Sequence, residues 1–397
     1  LGSGVRQTWL QGLAGHRYCG GGRACGGDHT EAPMAGPLSS PRNFLGLLCC
    51  CGALGVAGGV GCLDNDGNAV DWSFTYKMHS DFRVAYVDAG TPPPNSGPLQ
   101  LLGRTLADGD DPVAVIRTLR ALESREYIFY NDEAGADKAS SRYGHTKGVV
   151  AVGADGGSGL WLLHSTPNFP SGRASGDLSF PEREVKYGQT FLCISLGGAD
   201  VDRVAKQLLY TTPNVFESTL SDATLGRFPA LKQVMDQDWI KRPGSNAETF
   251  QVGAAAFTHF AKNAAWNDDI YEGLIAPGYK TGFMVETWIR GHACGSYCRP
   301  EHEYDIVDVK SMVAVDASGR TVKWTEGGDH AKWAVALDRS SVVCVADINR
   351  MTTQRKRGGG ALCFKHAGLA ATLSRSVEGA ASCERSATNA SLDVVHV

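Results

Sequence analysis

Residues 144–148 read Gly144-His145-Thr146-Lys147-Gly148, and residues 329–333 read Asp329-His330-Ala331-Lys332-Trp333. Each stretch places a lysine two positions after a histidine. On an extended strand, residues i and i+2 point to one face, so each pair can present an imidazole and an ammonium together. Two H-x-K pairs alone lie within chance, but their surroundings also match. Each leads into an apolar strand pair, and each second strand ends in a polar cluster with asparagine. The clusters are His164-Ser-Thr-Pro-Asn168 and Ala346-Asp347-Ile-Asn349-Arg350. Lys147 precedes Asn168 by 21 residues and Lys332 precedes Asn349 by 17. This order predicts two copies of one half-site.

Working outward, strand and helix signals alternate. Residues 126–131 (EYIFYN) read as a strand. Residues 148–153 and 160–164 are apolar runs joined by a Gly-rich turn, a hairpin signal. Residues 200–210 carry Val201, Val204, Ala205, Leu208 and Leu209 at helical spacing, with Asp200 as N-cap. Asp111-Pro112 predicts a second helix start, with Asp as cap and Pro in the first turn. Residues 283–289, 306–315 and 321–324 read as strands, with a turn at 316–319. Residues 334–337 and 341–346 form another hairpin-like pair. Phe257-Thr-His259-Phe260 reads as the core face of a helix. The class is α/β with mixed sheets.

Composition agrees. Apolar residues make up 43% and charged residues 20%, which excludes a disordered or multispanning chain. Glycine is abundant, 49 of 397, which favours turns and strands over a helical bundle. Net charge is −4 with the 11 histidines neutral, so acid conditions reverse its sign. Tight binding to a polyanion is then disfavoured at neutral pH and allowed in acid.

The uncharged run from Phe44 to Val60 follows Met34 and Arg42, the grammar of a secretory signal peptide at 34–61. Residues 1–33 are patternless and read as upstream sequence; a retained anchor is the competing reading. Secretion fits the cysteines. Cys19, Cys25, Cys49, Cys50 and Cys51 fall before residue 62. Seven remain: Cys62, Cys193, Cys294, Cys298, Cys344, Cys363 and Cys383. That number suits a few disulfides and leaves one thiol over. No paired CxxC zinc pattern occurs. Asn389 opens the single glycosylation sequon.

The duplicated residue set suits phosphodiester cleavage with no metal and no cofactor. One neutral imidazole attacks phosphorus, and the opposite protonated imidazole donates to the leaving oxygen. Lysine and asparagine hold the non-bridging oxygens. With these residues in place, the sequence resembles the deoxyribonuclease II family of acid endonucleases, which shares the phospholipase D fold. The resemblance rests on Val70-Asp-Trp72 with Tyr76-Lys77, Tyr130-Asn-Asp132, Gly144-His-Thr-Lys-Gly148 and Leu163-His-Ser-Thr-Pro-Asn-Phe-Pro170. It continues through Tyr187-Gly-Gln-Thr190, Leu192-Cys193, Gln207-Leu-Leu-Tyr210, Asp329-His-Ala-Lys-Trp333, Asp347-Ile-Asn-Arg350 and Arg357-Gly-Gly-Gly360 to Cys363.

The resemblance implies a pseudo-dimer in one chain, two mixed-sheet halves flanked by helices, with the active site at the pseudo-twofold interface. The halves are 62–205 and 206–363, followed by a weakly patterned tail, 364–397. It implies hydrolysis of DNA, double-stranded and also single-stranded, at acid pH without divalent metal, leaving 3′-phosphate and 5′-hydroxyl ends. The location is lysosomal or secreted, with no membrane attachment after signal cleavage; a homodimer is allowed. Carried over, the catalytic set is His145, Lys147 and Asn168 with His330, Lys332 and Asn349. His145 is favoured as nucleophile and His330 as general acid.

His164 either contacts substrate or is a hydrogen-bonded strand-end histidine, and Asp347 orients a neighbour or caps a turn. Arg350 and the run Gln354-Arg-Lys-Arg357 contact DNA backbone or form a solvated face. The family also implies a Cys62–Cys193 disulfide and pairing of Cys363 with Cys294 or Cys298. Vertebrate-type members carry a cysteine where this chain has Ala334. Cys344 is then the odd thiol, or pairs with Cys294 or Cys298. Two other functions compete: a phosphodiesterase of the same fold acting on lipid or nucleotide, and a secreted DNA-binding protein or toxin with lost turnover. Steep weakening by salt marks a DNA substrate.

Overall fold

The computed structural model describes residues 59–90, 97–107, 109–134, 141–170, 178 and 180–383. All belong to the unit spanning Leu54–Val397. The upstream segment, most of the signal-peptide run, the five cysteines before residue 62 and the Asn389 sequon lie outside the described residues.

Two large sheets carry the fold. The first has seven strands in the order Val215–Ser218, Glu126–Asn131, Lys147–Val152, Ser158–His164, Gln189–Gly197, Trp72–Lys77 and Val84–Asp88. Every pairing in it is antiparallel, so it is not the mixed sheet expected. The second has ten strands. Its main path runs Ser245–Val252, Ala255–Lys262, Gly359–Lys365, Val342–Ala346, Trp333–Ala336, Phe283–Glu286, Ile306–Val315 and Thr321–Thr325. Leu99–Gln100 and Val377–Ala380 add to Ile306–Val315, and parallel pairing makes this sheet mixed. The chain is thus α/β, with few helices.

The central strands are apolar throughout because both faces are covered. In Ser158–His164, Trp161 and Leu163 join one core, while Leu160 and Leu162 join another. The first core lies between the sheets. There Trp72 meets Phe257 and Phe364, with ring centroids 6.2 and 4.9 Å apart, and Trp161 meets Phe250 at 6.2 Å. The helix Gly198–Thr211 contributes Val201, Val204, Ala205 and Leu208 to the same core.

Several expectations change. Residues 257–260 form part of the strand Ala255–Lys262, not a helix. Burial on both sides had removed the alternation that marks a strand. Asp200 lies inside the first helical turn, where it pairs with Arg203, and Gly197 is the cap. The helix Ala114–Arg120 starts beyond Asp111-Pro112. Asn65 Oδ1 takes the Ala114 N–H at 2.8 Å, while Asp111 pairs with Arg104 and Arg117. The strand from Phe283 stops at Glu286. Val215–Ser218, placed in the second half by sequence, pairs with Glu126–Asn131 of the first sheet. The weakly patterned tail carries the helix Ala367–Arg375 and the strand Val377–Ala380 up to residue 380.

Cys62–Cys193 forms as expected. Cys363 bonds Cys344, not Cys294 or Cys298, because strand register sets the two directly opposite each other. Cys298 bonds Cys383, and Cys294 is the free thiol among the described cysteines. No described helix is long and apolar enough to cross a membrane.

Candidate active site

Both H-x-K stretches sit at the start of a central strand and dock on the opposite sheet. The His145 N–H donates to the Gly358 carbonyl at 2.8 Å, and the His330 N–H donates to the Gly188 carbonyl at 2.8 Å. Neither glycine has room for a side chain. A Cβ on Gly358 would lie 2.5 Å from the Thr211 carbonyl, and one on Gly188 would lie 2.4 Å from Asp329 Oδ1. His145, Lys147, His330 and Lys332 are all buried. Lys147 and His145 both depress the basicity of His330, and Lys332 depresses that of His145. The two pairs therefore share one electrostatic site at the seam between the sheets.

Their surroundings differ. His145 Nδ1 lies 2.9 Å from Asp132 Oδ2, and the Lys147 ammonium sits on Asp132 Oδ1 and 3.1 Å from Glu133 Oε2. Arg357, from the second sheet's side, donates to Asp132 Oδ2 at 2.8 Å. Despite burial, Lys147 and His145 hold the Asp132 carboxyl well below its usual range. Lys147 is raised, its carboxylates overcoming burial. His145 is lowered, by burial first and Lys147 second, against the pull of Asp132.

Among the described residues, no carboxylate pairs with the His330 ring as Asp132 pairs with His145. The His330 ring stacks on Tyr187 at 4.1 Å and meets Trp288 at 4.1 Å. Burial, then Lys332 and Lys147, push its pKa far below the ordinary value. Lys332 donates to the His330 carbonyl at 2.8 Å, and burial with nearby Lys147 lowers it to about 8. The buried polar atoms with no hydrogen-bond partner among the described residues include His330 Nε2, His164 Nε2 and Asn349 Oδ1. An unpaired buried acceptor or donor is costly, so each is a candidate ligand contact.

The other sequence candidates divide. His164 is buried, stacked on Phe169 at 3.9 Å, and held far below its ordinary pKa by burial and Lys147. Asp347 accepts from the Gly360 N–H at 3.1 Å, and burial raises it to about 7. Asn168 binds Glu184. Strand register sets Leu163 opposite Gly148 and Val345 opposite Trp333, so the two strands that lead to Asn168 and Asn349 stand alike beside their H-x-K strands. Arg350 is 1% exposed and ion-paired to Asp269 and Asp308, a core position and not a surface for DNA backbone. In the run after it, Arg355 binds the Tyr297 hydroxyl and Arg357 binds Asp132 and the Tyr143 carbonyl at 3.0 Å.

Sequence reasoning gave no role to Asp132, Glu133, Tyr187 or Trp288. Asp132 and Tyr187 stood inside quoted motifs; Glu133 and Trp288 carried no local signal. Asp132, Glu133 and His145 offer three potential metal-ligand atoms within 4.8 Å of one another. The Lys147 ammonium already occupies both carboxylates, so a cation would have to displace it.

The model of the family described as Deoxyribonuclease II matches residues 61–383. The chain is similar to Plancitoxin-1 of Acanthaster planci, 31% identical over 337 residues, covering 80% of this chain and 90% of the toxin. It is 33% identical over 326 residues to Deoxyribonuclease-2-alpha of Rattus norvegicus, covering 77% and 89% of the two chains. Deoxyribonuclease-2 of Caenorhabditis elegans is 31% identical over 350 residues, covering 76% and 88%. With its family model spanning the whole described fold and the duplicated H-x-K site at its seam, this chain belongs to the deoxyribonuclease II family.

Proposed function

We propose that the protein is an acid endodeoxyribonuclease of lysosomal or secreted location, built as a phospholipase D-like pseudo-dimer. The observation that carries this reading is the docking of both H-x-K stretches at one seam, each histidine on the other sheet's glycine. The halves follow the two sheets, near the sequence division 62–205 and 206–363.

His145, Lys147, His330, Lys332 and Asn349 form the catalytic set, with Asn168 supporting through Glu184. His145 is the nucleophile. Asp132 on Nδ1 keeps the Nε2 lone pair free and offsets the positive charge that grows on the ring during attack. The Nε2–P bond forms as the P–O5′ bond breaks, and O5′ takes the His330 proton to leave a 5′-hydroxyl. Neutral His330 then takes a proton from water as the water oxygen bonds phosphorus and the Nε2–P bond breaks, leaving a 3′-phosphate. Lys332 and Asn349 hold the non-bridging oxygens. His164 and Asp347 lie close enough to tune the site. The acid requirement has a physical source: His330, held far below its ordinary pKa, gains its proton only in acid and beside a phosphate. DNA is the substrate.

Plasmid nicking in excess EDTA at pH 5 and pH 7.5 tests the reading, with end-labelled products and His330→Ala alongside wild type. Cleavage at pH 5 that leaves 3′-phosphate ends and is lost in the variant supports it. Metal-dependent cleavage, or activity unchanged by the substitution, overturns it.

A further inference from the structure

Two buried lysines outside the H-x-K pairs repeat one arrangement on the two sheets. Lys77 and Lys262 are both fully buried at the ends of matched strands, where register sets Lys77 opposite Gln189 and Lys262 opposite Gly359. The Lys77 ammonium donates to the carbonyls of Glu184 at 2.6 Å, Val185 at 2.9 Å and Tyr187. The Lys262 ammonium donates to those of Gln354 at 3.4 Å, Arg355 at 2.9 Å and Arg357 at 2.6 Å. The accepting carbonyls follow the same spacing in both cases. Each set closes a 3₁₀ helix, Glu182–Lys186 or Thr352–Lys356. An aromatic ring covers each ammonium, Phe82 at 5.4 Å and Trp266 at 5.9 Å.

The physical logic is direct. A short helix ends in unpaired carbonyls, and an ammonium carries three donors that can collect them. Burying that charge is unfavourable unless all three donors are satisfied. Burial lowers Lys77 to about 7 against Glu184, Asp329 and Asp81. It lowers Lys262 to about 8 against Asp269 and Asp268, with Arg357 adding to the depression. Both cages therefore hold a full charge in acid.

The residue after each cage is the glycine that receives a histidine. Gly188 follows Tyr187 and takes the His330 N–H; Gly358 follows Arg357 and takes the His145 N–H. We propose that Lys77 and Lys262 are paired positioning residues, each fixing the backbone on which the histidine of the opposite sheet is aligned. Lys77 acts on His330 and Lys262 on His145, so each half of the fold sets the other half's imidazole. This rests on the reading of the two histidines given above.

Amide hydrogen exchange at pH 5 on Lys77→Met and Lys262→Met tests the crossed pairing, using peptides that span 329–333 and 144–148. Lys77→Met should lose about tenfold protection at the His330 amide and leave His145 as in wild type; Lys262→Met should do the reverse. On plasmid DNA each variant should lose about tenfold or more in kcat, with KM shifted by less than about twofold. Loosening of both amides alike, protection of both as in wild type, or an unchanged kcat overturns the proposal. If a methionine variant does not fold, Lys77→Arg and Lys262→Arg decide. Their guanidinium groups keep the charge but do not fit a three-carbonyl cage, and should give the same crossed pattern at smaller size. An uncrossed pattern in these variants overturns the proposal as well. Exchange needs no turnover, so failure of the nuclease reading would appear in the EDTA cleavage assay and leave the exchange pattern in place.

Discussion

Asp132 accepts from His145 Nδ1 at 2.9 Å, while His330 has aromatic rings, Tyr187 and Trp288, where a carboxylate partner would stand. Two stretches that look alike in sequence thus hold chemically different imidazoles. Of these two imidazoles, His145 is the one with a carboxylate beside it among the described residues, an anion placed to stabilise a cationic ring. Arg357 reaches across from the second sheet to the same Asp132 oxygen and fixes it in turn.

Asp132→Asn keeps the shape and removes the anion. We expect kcat to fall about 10²–10⁴-fold with KM little changed, because the wrong tautomer and an unbalanced ring charge both oppose attack. Arg357→Ala, which removes only the second contact, should cost about tenfold. Steady-state kinetics at pH 5 checks both, and a smaller effect for Asp132→Asn than for Arg357→Ala would reverse the assignment.

Phosphate binding should take up a proton. Free His330 is held far below its ordinary pKa, chiefly by burial, which favours its neutral form; an anion beside it raises that pKa and draws a proton in. Inorganic phosphate stays a monoanion there. Calorimetric titration with phosphate at pH 5 in two buffers of different ionisation heat should show uptake of about one proton per site, lost in His330→Ala. Affinity should rise as pH falls towards 5.

The buried Glu286 gives an opposite handle on stability. It is fully enclosed, neither carboxylate oxygen has a partner among the described residues, and burial with nearby Asp329 raises its pKa well above the ordinary value. In acid the folded and unfolded chains are both protonated and nothing is lost. As pH rises past the unfolded value, the unfolded chain ionises first and stability falls, by about 1.4 kcal/mol per pH unit until the folded group also ionises. Glu286→Gln should therefore raise the melting temperature at pH 7 and leave it nearly unchanged at pH 4. Equal shifts at both pH values would argue for a packing effect alone.

The chain's local chemistry was legible in its sequence, and its long-range pairings were not. The H-x-K stretches, the strand Glu126–Asn131 and the hairpin around residues 154–159 follow from short-range pattern. The strand Ala255–Lys262 does not, because a strand buried on both faces shows the apolar spacing of a helix. Cys344–Cys363 depends on register between strands, which no cysteine spacing reveals. Arg350 sits in a polar cluster that reads as surface, yet Asp269 and Asp308 bury it. Lys77 and Lys262 are single charges in apolar strands, and only the carbonyls folded over them explain their burial.

The two-histidine mechanism stands or falls on where phosphorus attaches. A DNA oligonucleotide labelled at its 5′ end would be mixed with His330→Ala at pH 5 in EDTA, quenched in alkaline detergent, and the labelled protein digested and sequenced by mass spectrometry. A leaving group that needs no proton, such as a 5′-bridging phosphorothiolate, lets the first step run without His330. Label held by Nε2 of His145 is the expected result, since the intermediate forms and no base activates water to release it. Label on another residue, or complete cleavage of the phosphorothiolate with no protein-bound label, would contradict it.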